Sequence, residues 1–217
     1  DLHKEYRRQR QMCIRDRHGV LTPFVFWSRI QYYTFSTFTL FFIWLGATLF
    51  KADIPFLYTA DCRYIVAAGL VTLSVMYHII VRPGAIRTHR LNDISYEHFS
   101  FYNYIFHYFI PVLMTADYLF FVDKTELHGH IMISWMIYPA LYVVFVYWRA
   151  WVTIVTHGTS HLYPYTFMDP RMNDVFSITK GCLKVGFQFF LIGICVYAAG
   201  KGLYLLGIPP AAWTYNG

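Results

Sequence analysis

Charge is scarce in this chain. Only 14% of its 217 residues are Asp, Glu, Lys or Arg, while 57% are hydrophobic. A soluble domain carries about 25% charged residues, so this shortage, with a mean hydropathy of +0.37, argues against a soluble domain. Cysteine is sparse too. The four present, Cys13, Cys62, Cys182 and Cys195, have the spacing of neither a metal site nor a disulfide framework. Cys182 and Cys195 fall in an apolar segment and read as packing residues. A GxSxG nucleophile elbow is missing. So are the repeated histidine boxes of a di-iron membrane hydroxylase: one His-x-x-x-His spacing (His157, His161) and one close pair (His128, His130) cannot complete such a site. The formal net charge of +6 builds no phosphate-binding face, because seven of the 18 Lys and Arg precede residue 30 and the others are scattered at the ends of apolar runs. No metal, no cofactor and no nucleic-acid partner is expected.

What the chain does have is aromatics and long apolar runs. Phe, Tyr and Trp make up 21%, which suits rings resting in the two headgroup belts of a bilayer. Five apolar segments recur, at about residues 32–50, 64–81, 99–121, 131–155 and 178–204. At 1.5 Å per residue, about 19 helical residues cross a hydrocarbon core of about 30 Å. The expected fold is all-α: a polytopic integral membrane helix bundle with five transmembrane helices in a domain over residues 29–217, and the lipid bilayer as its partner. Residues 1–28 form a basic N-terminal arm. Its string QMCIRDR resembles translated sequencing-adapter read-through, so the arm is expected to be non-native. Arg82, Arg87, Arg90, Arg149, Arg171 and Lys180 flank one side of the spans, against Lys51, Arg63, Lys124 and Lys201 on the other. That bias places the N-terminal side in the cytoplasm.

The third span, FSFYNYIFHYFIPVLMTADYLFF, carries Asn103, His107, Pro111 and Asp117. Ionisable groups inside a span are costly and mark candidate sites. At 100° per residue, Ser100, Asn103 and His107 share a narrow arc. Pro111 has no N–H for the His107 carbonyl, so a bend is expected beside the histidine. Asp117 lies too far along the axis to pair with His107. Alternating spans put Thr34, His78 and His107 in one half of the bilayer, with the loop holding Tyr163, Pro164 and Asp169 on the same side. Blander roles remain open. Thr34 can bond its own helix backbone, and His107 can serve as an interhelical hydrogen-bonder. His78 can be an interface residue, Tyr138, Pro139 and Tyr142 can be packing residues, and Asp117 can reach the far interface near Asp123 and Lys124.

Four blocks in order, YYTFSTFT, NYIFHYFIPVL, WMIYPALY and YPYTFMDP, resemble small bacterial six-helix integral membrane proteins. More distantly they resemble the androgen-induced membrane protein family of animals, whose members hydrolyse fatty acid esters of hydroxy fatty acids. The resemblance covers about residues 30–205 and is most specific at Asn103-x-x-x-His107-x-x-x-Pro111 and near Tyr163 to Met168. It implies a bacterial inner-membrane location, a first helix missing from this chain, and a lipid-ester hydrolase acting on a fatty acyl ester. It assigns Thr34 as nucleophile and His107 as base, with Asn103, Pro111, His78, Tyr163, Pro164 and Asp169 supporting the pocket. A hydroxyl needs such a base to attack at neutral pH. The alternative is a non-enzymatic multi-pass protein, a transporter or an assembly partner.

Overall fold

A computed structural model of the chain describes residues 32–83, 101–157 and 162–208. The basic arm, Cys13, Ser100, Arg87, Arg90 and His161 lie outside the described residues. Among the described residues the fold is all-helical.

Helix α1 is Tyr33–Leu49. Tyr33, Thr37, Phe38 and Phe41 are buried, at the three-to-four spacing of one helix face. Leu40, Phe42 and Ile43 on the remaining surface are exposed. A 3-10 turn, Pro55–Tyr58, follows, and the indole Nε1 of Trp44 donates to its Leu57 carbonyl at 3.1 Å. The Thr59 hydroxyl then accepts from the Cys62 N–H, so α2 starts at Ala60, earlier than the apolar run suggests. Helix α2 runs Ala60–Met76 and continues through a π turn, Tyr77–Val81. Helix α3 opens at Phe101–Tyr104, passes a second π turn, Ile105–Phe109, and ends in Ile110–Phe121.

Helix α4 begins with Ile131–Ser134 and, after a break, runs Ile137–His157. Pro139 causes the break: the Trp135 carbonyl, deprived of a donor four residues on, accepts instead from Tyr138 N at 3.2 Å. Helix α5 is Val175–Leu205, capped by Asp174, whose carboxylate accepts from Ser177 N.

Helix α2 is the centre of the bundle, packing against α1, α3 and α5. Its inner positions are small: Ala67, Ala68 and Gly69 are buried, with Leu70 and Thr72 beside them. Small residues let helix backbones approach, which matters where lipid supplies no hydrophobic force between helices. Glycines do the same on α5. A Cβ at Gly193 would land on the Trp135 ring and one at Gly200 on the Tyr118 ring. The Tyr64 hydroxyl, fully buried in α2, donates to the Gly193 carbonyl at 3.0 Å.

The outer surface is the reverse of a soluble protein's. Leu113, Leu141, Val144, Trp151, Leu183 and Phe187 are all more than half exposed, far beyond the scattered apolar residues of a soluble surface. Three helical stretches are long and apolar enough to cross a membrane: Ala60–Val81, Ile131–Ile154 and Val175–Leu205. The other two apolar helices, Tyr33–Leu49 and Ile105–Phe121, are shorter, so the expected count of five crossings reduces to three long spans and two short helices.

Candidate functional site

The two π turns face one another. In each, the N–H five residues on closes the turn: Arg82 N to Tyr77 O, and Ile110 N to Ile105 O. Pro111 sits just past the second turn, four residues beyond His107. The missing donor is accommodated by this widened turn within a continuous helix. π turns of this kind recur at functional sites.

Antiparallel packing of α2 on α3 brings Tyr77-His78 against His107-Tyr108. The Tyr77 and His107 rings stack at 3.8 Å with 24° between their planes. The His78 Nδ1 and the Tyr108 hydroxyl hydrogen-bond at 3.0 Å. His107 is buried at 7% exposure, whereas His78 is exposed. The Nδ1 of His107 lies 3.1 Å from the Asn103 carbonyl oxygen. A carbonyl only accepts, so Nδ1 carries a proton. Asn103 is half-buried. Pro111 is buried beneath this group. An apolar cleft of about 340 Å³, lined by Val71, Val75, Pro111, Thr115, Leu119 and Phe120, runs along α2 and α3 from Pro111.

Thr34 is half-buried on the first turn of α1. Its neighbours fix which way it faces. Thr37 lies in contact distance of Gly69 on α2 and shares a 2.8 Å hydrogen bond with the Tyr138 hydroxyl. The Phe38 ring meets Phe106 of α3 at 4.9 Å. At 100° per residue, Thr34 falls on the arc between these two, on the inward side of α1. The hydroxyl of this helix with a phenol partner is that of Thr37.

The Tyr163–Asp169 segment folds back onto the bundle. The Tyr147 hydroxyl donates to the Met168 carbonyl at 2.8 Å, and Arg149 donates to the Leu162 carbonyl at 3.1 Å. Tyr163 and Pro164 are half-buried, with the Tyr163 ring 5.5 Å from Tyr147. Burial pushes the Tyr163 and Tyr165 phenols above their ordinary range. Tyr165 packs against the buried cluster that contains Tyr33 and Tyr142. The Tyr33 ring packs against Tyr138, Tyr142 and Phe189, and its buried hydroxyl has no partner among the described residues. Asp169 is buried and bonded to Arg171, whose guanidinium holds the carboxyl below the usual range. The segment therefore joins Tyr33 and Thr37 on α1 to α4, while His78 and His107 gather on α2 and α3.

Several of these contacts escaped the sequence reading, although the sequence places Tyr77 with His78 in the same half of the bilayer as His107. Tyr77 and Tyr108 had a signal, a Tyr-His and a His-Tyr pair on antiparallel neighbours, mirror images that bring each His to a Tyr. Arg149, counted as a flanking charge, is instead buried at 2% exposure. Asp117 pairs with Arg63 of α2 at 3.0 Å, a link between two helices. Only the three-dimensional meeting of α2 and α3 shows that contact.

The class this architecture supports is coarse: an all-helical protein whose long apolar helices suit a membrane. Compared with known proteins, the chain matches no family model, no curated protein and no solved structure.

Proposed function

We propose that the protein is an integral membrane lipid-ester hydrolase of a bacterial inner membrane, with Thr34 as nucleophile and His107 as general base. The reading rests on the sequence resemblance. The observation that carries it is the placement of His107: buried between two apolar helices, with Nδ1 donating to the Asn103 carbonyl. A hydroxyl-activating histidine holds its Nδ1 proton on an acceptor in this way. The fatty acyl ester enters laterally from lipid, and the apolar cleft ending at Pro111 offers a route. The Thr34 oxygen bonds to the acyl carbon, and its proton passes to Nε2. The ester C–O bond breaks as the leaving alkoxide takes that proton. Water, giving a proton to the same nitrogen, then bonds to the acyl carbon; the bond from that carbon to the Thr34 oxygen breaks, and the Thr34 oxygen takes the proton back as the fatty acid leaves. Asn103, Pro111 and Tyr77 hold the base, and the Tyr163, Pro164 and Asp169 segment closes the same end of the bundle.

The alternative is a non-enzymatic multi-pass membrane protein, a transporter or an assembly partner. The test is ester hydrolysis by wild type and by Thr34→Ala, Thr37→Ala and His107→Ala in the same micelles. Thr34→Ala and His107→Ala should each lose about 10²-fold or more, and Thr37→Ala should stay within about threefold. Full activity in Thr34→Ala removes the nucleophile assignment. Loss in Thr37→Ala alone moves it one turn along α1.

A further inference from the structure

Helix α5 is longer than the bilayer it suits. Its 31 residues, Val175–Leu205, reach about 46 Å against a hydrocarbon core of about 30 Å. Its charges show which end protrudes. Lys180, Lys184 and Lys201 are the charged residues of the helix, and residues 185–200 carry no charge. That charge-free stretch is about 24 Å long, and the lysine stems at its two ends reach on toward the headgroups. The hydrocarbon core therefore lies between Lys184 and Lys201. Residues 175–184, about 15 Å of helix, stand outside it.

This protruding end does not have a soluble surface. Phe176 is 75% exposed and Leu183 69%, and Met172 and Val175 beside them are exposed as well. At 100° per residue, Phe176, Lys180, Leu183 and Phe187 form one stripe. Gly181, on the roughly opposite side, is covered by the Phe167 ring, which an added Cβ would meet at 2.8 Å. The stripe is thus the face that the bundle leaves open. Lys180 and Lys184 are both exposed, one turn apart, and neither has an ion-pair or hydrogen-bond partner among the described residues. The nearby carboxylates are engaged, Asp169 with Arg171 and Asp174 with the Ser177 N–H. Unpartnered cations among large apolar side chains, on helix that lies outside the hydrocarbon, suit an anionic lipid surface.

We propose that residues 175–184 lie in the headgroup layer, where Lys180 and Lys184 bind the phosphates of anionic phospholipids while Phe176 and Leu183 rest on the top of the acyl chains. Charge selects this occupant over a second copy of the chain. A two-fold contact through the same stripe would bring the lysines of both copies together with no free carboxylate between them. The proposal needs only that α5 crosses a bilayer, and it is independent of the hydrolase reading.

The test uses the full chain in phosphatidylcholine vesicles. Phe176→Trp puts an indole reporter on the stripe, read as the difference from the unsubstituted chain. Its quenching by brominated phosphatidylglycerol is compared with that by brominated phosphatidylcholine at equal mole fraction. The anionic lipid should quench more strongly. Lys180→Gln and Lys184→Gln should each lower that preference by up to about fivefold, and the double variant should abolish it. Lys51→Gln, at an exposed lysine just past the far end of α1, should leave it unchanged. Salt at about 1 M, where screening acts within about 3 Å, should remove the preference as well. Equal quenching by the two lipids overturns the proposal, as does a preference that survives both lysine substitutions. Weak quenching by both lipids also overturns it, because the stripe would then face water or protein. Loss of the preference on adding inorganic phosphate at constant ionic strength replaces the lipid with a general phosphate site and overturns the lipid assignment. If the double variant fails to insert, the two single variants decide.

Discussion

Lys124 shows at the scale of one residue how a membrane protein handles a cation. It is buried just past α3, where its ammonium donates to the Leu119 and Val122 carbonyls and lies 4.9 Å over the Tyr118 ring. Burial pushes its pKa down to about 8, with Asp123 and Asp117 opposing the fall. An unfolded Lys titrates near ~10.4. Between the two values the unfolded chain binds more protons than the folded one, so stability rises with pH across that window. Thermal unfolding in micelles should show a midpoint that climbs between pH 8 and 10. Lys124→Met should flatten the climb, and a flat wild-type profile would contradict the burial argument. Asp169 works in the opposite sense. Its folded carboxyl lies below the usual range because of Arg171. Its contribution is therefore present above the unfolded value near ~3.9 and lost as pH falls through the lower folded value. In Asp169→Ala the Arg171 N–H, bonded to the Asp169 carboxylate at 2.9 Å, should exchange about fivefold faster at pH 7. An unchanged exchange rate would show that Asp169 does not hold the segment.

At the scale of elements, the contact of α5 with α3 and α4 depends on glycines. Gly193→Ala and Gly200→Ala would drive a methyl into Trp135 and Tyr118, both buried with little room to move. Each should cost about 1–3 kcal/mol in reversible unfolding from micelles. Gly202→Ala, with nothing within 4 Å of the added carbon, should stay within about 0.5 kcal/mol. Equal effects at the three positions would deny that close approach explains the glycines. Two helix starts carried a signal that the apolar runs, placed at about residues 64 and 178, did not use: Thr59 and Asp174 are ordinary N-cap residues, and each sits one residue before its helix. The π turns had no such signal. A regular 3.6-residue period puts Asn103 and His107 on one stripe but says nothing of the widened turn, which depends on Pro111 and on the ring partner across the interface.

For the whole molecule, five helices in series imply alternating connections. Positions near Asp53 and Glu126, both exposed between helices, should lie on one side of the membrane, and Met172 on the other. Cysteine substitutions at these three, labelled in sealed vesicles with an impermeant maleimide, test this. Modification of Asp53→Cys and Glu126→Cys from opposite sides would mean that the shorter helix between them, Ile105–Phe121, does not cross. The 17 residues of Tyr33–Leu49 reach about 26 Å against a core of about 30 Å, so this helix needs local thinning of the bilayer or interfacial aromatics to span it.

The sequence alone determined the helical class, the places where lipid-suited runs begin and end within a few residues, and His107 as a costly group worth explaining. Those properties follow from composition and local periodicity, which act along the chain. Only the tertiary structure decided which groups meet. It set Tyr77 on His107, Asp117 on Arg63, Thr37 on Tyr138 and Arg149 under the Leu162 carbonyl. Partners like these are chosen by how helices cross and by where glycine and alanine let them approach. That choice depends on packing across 13 to 101 residues of separation, which no local pattern encodes.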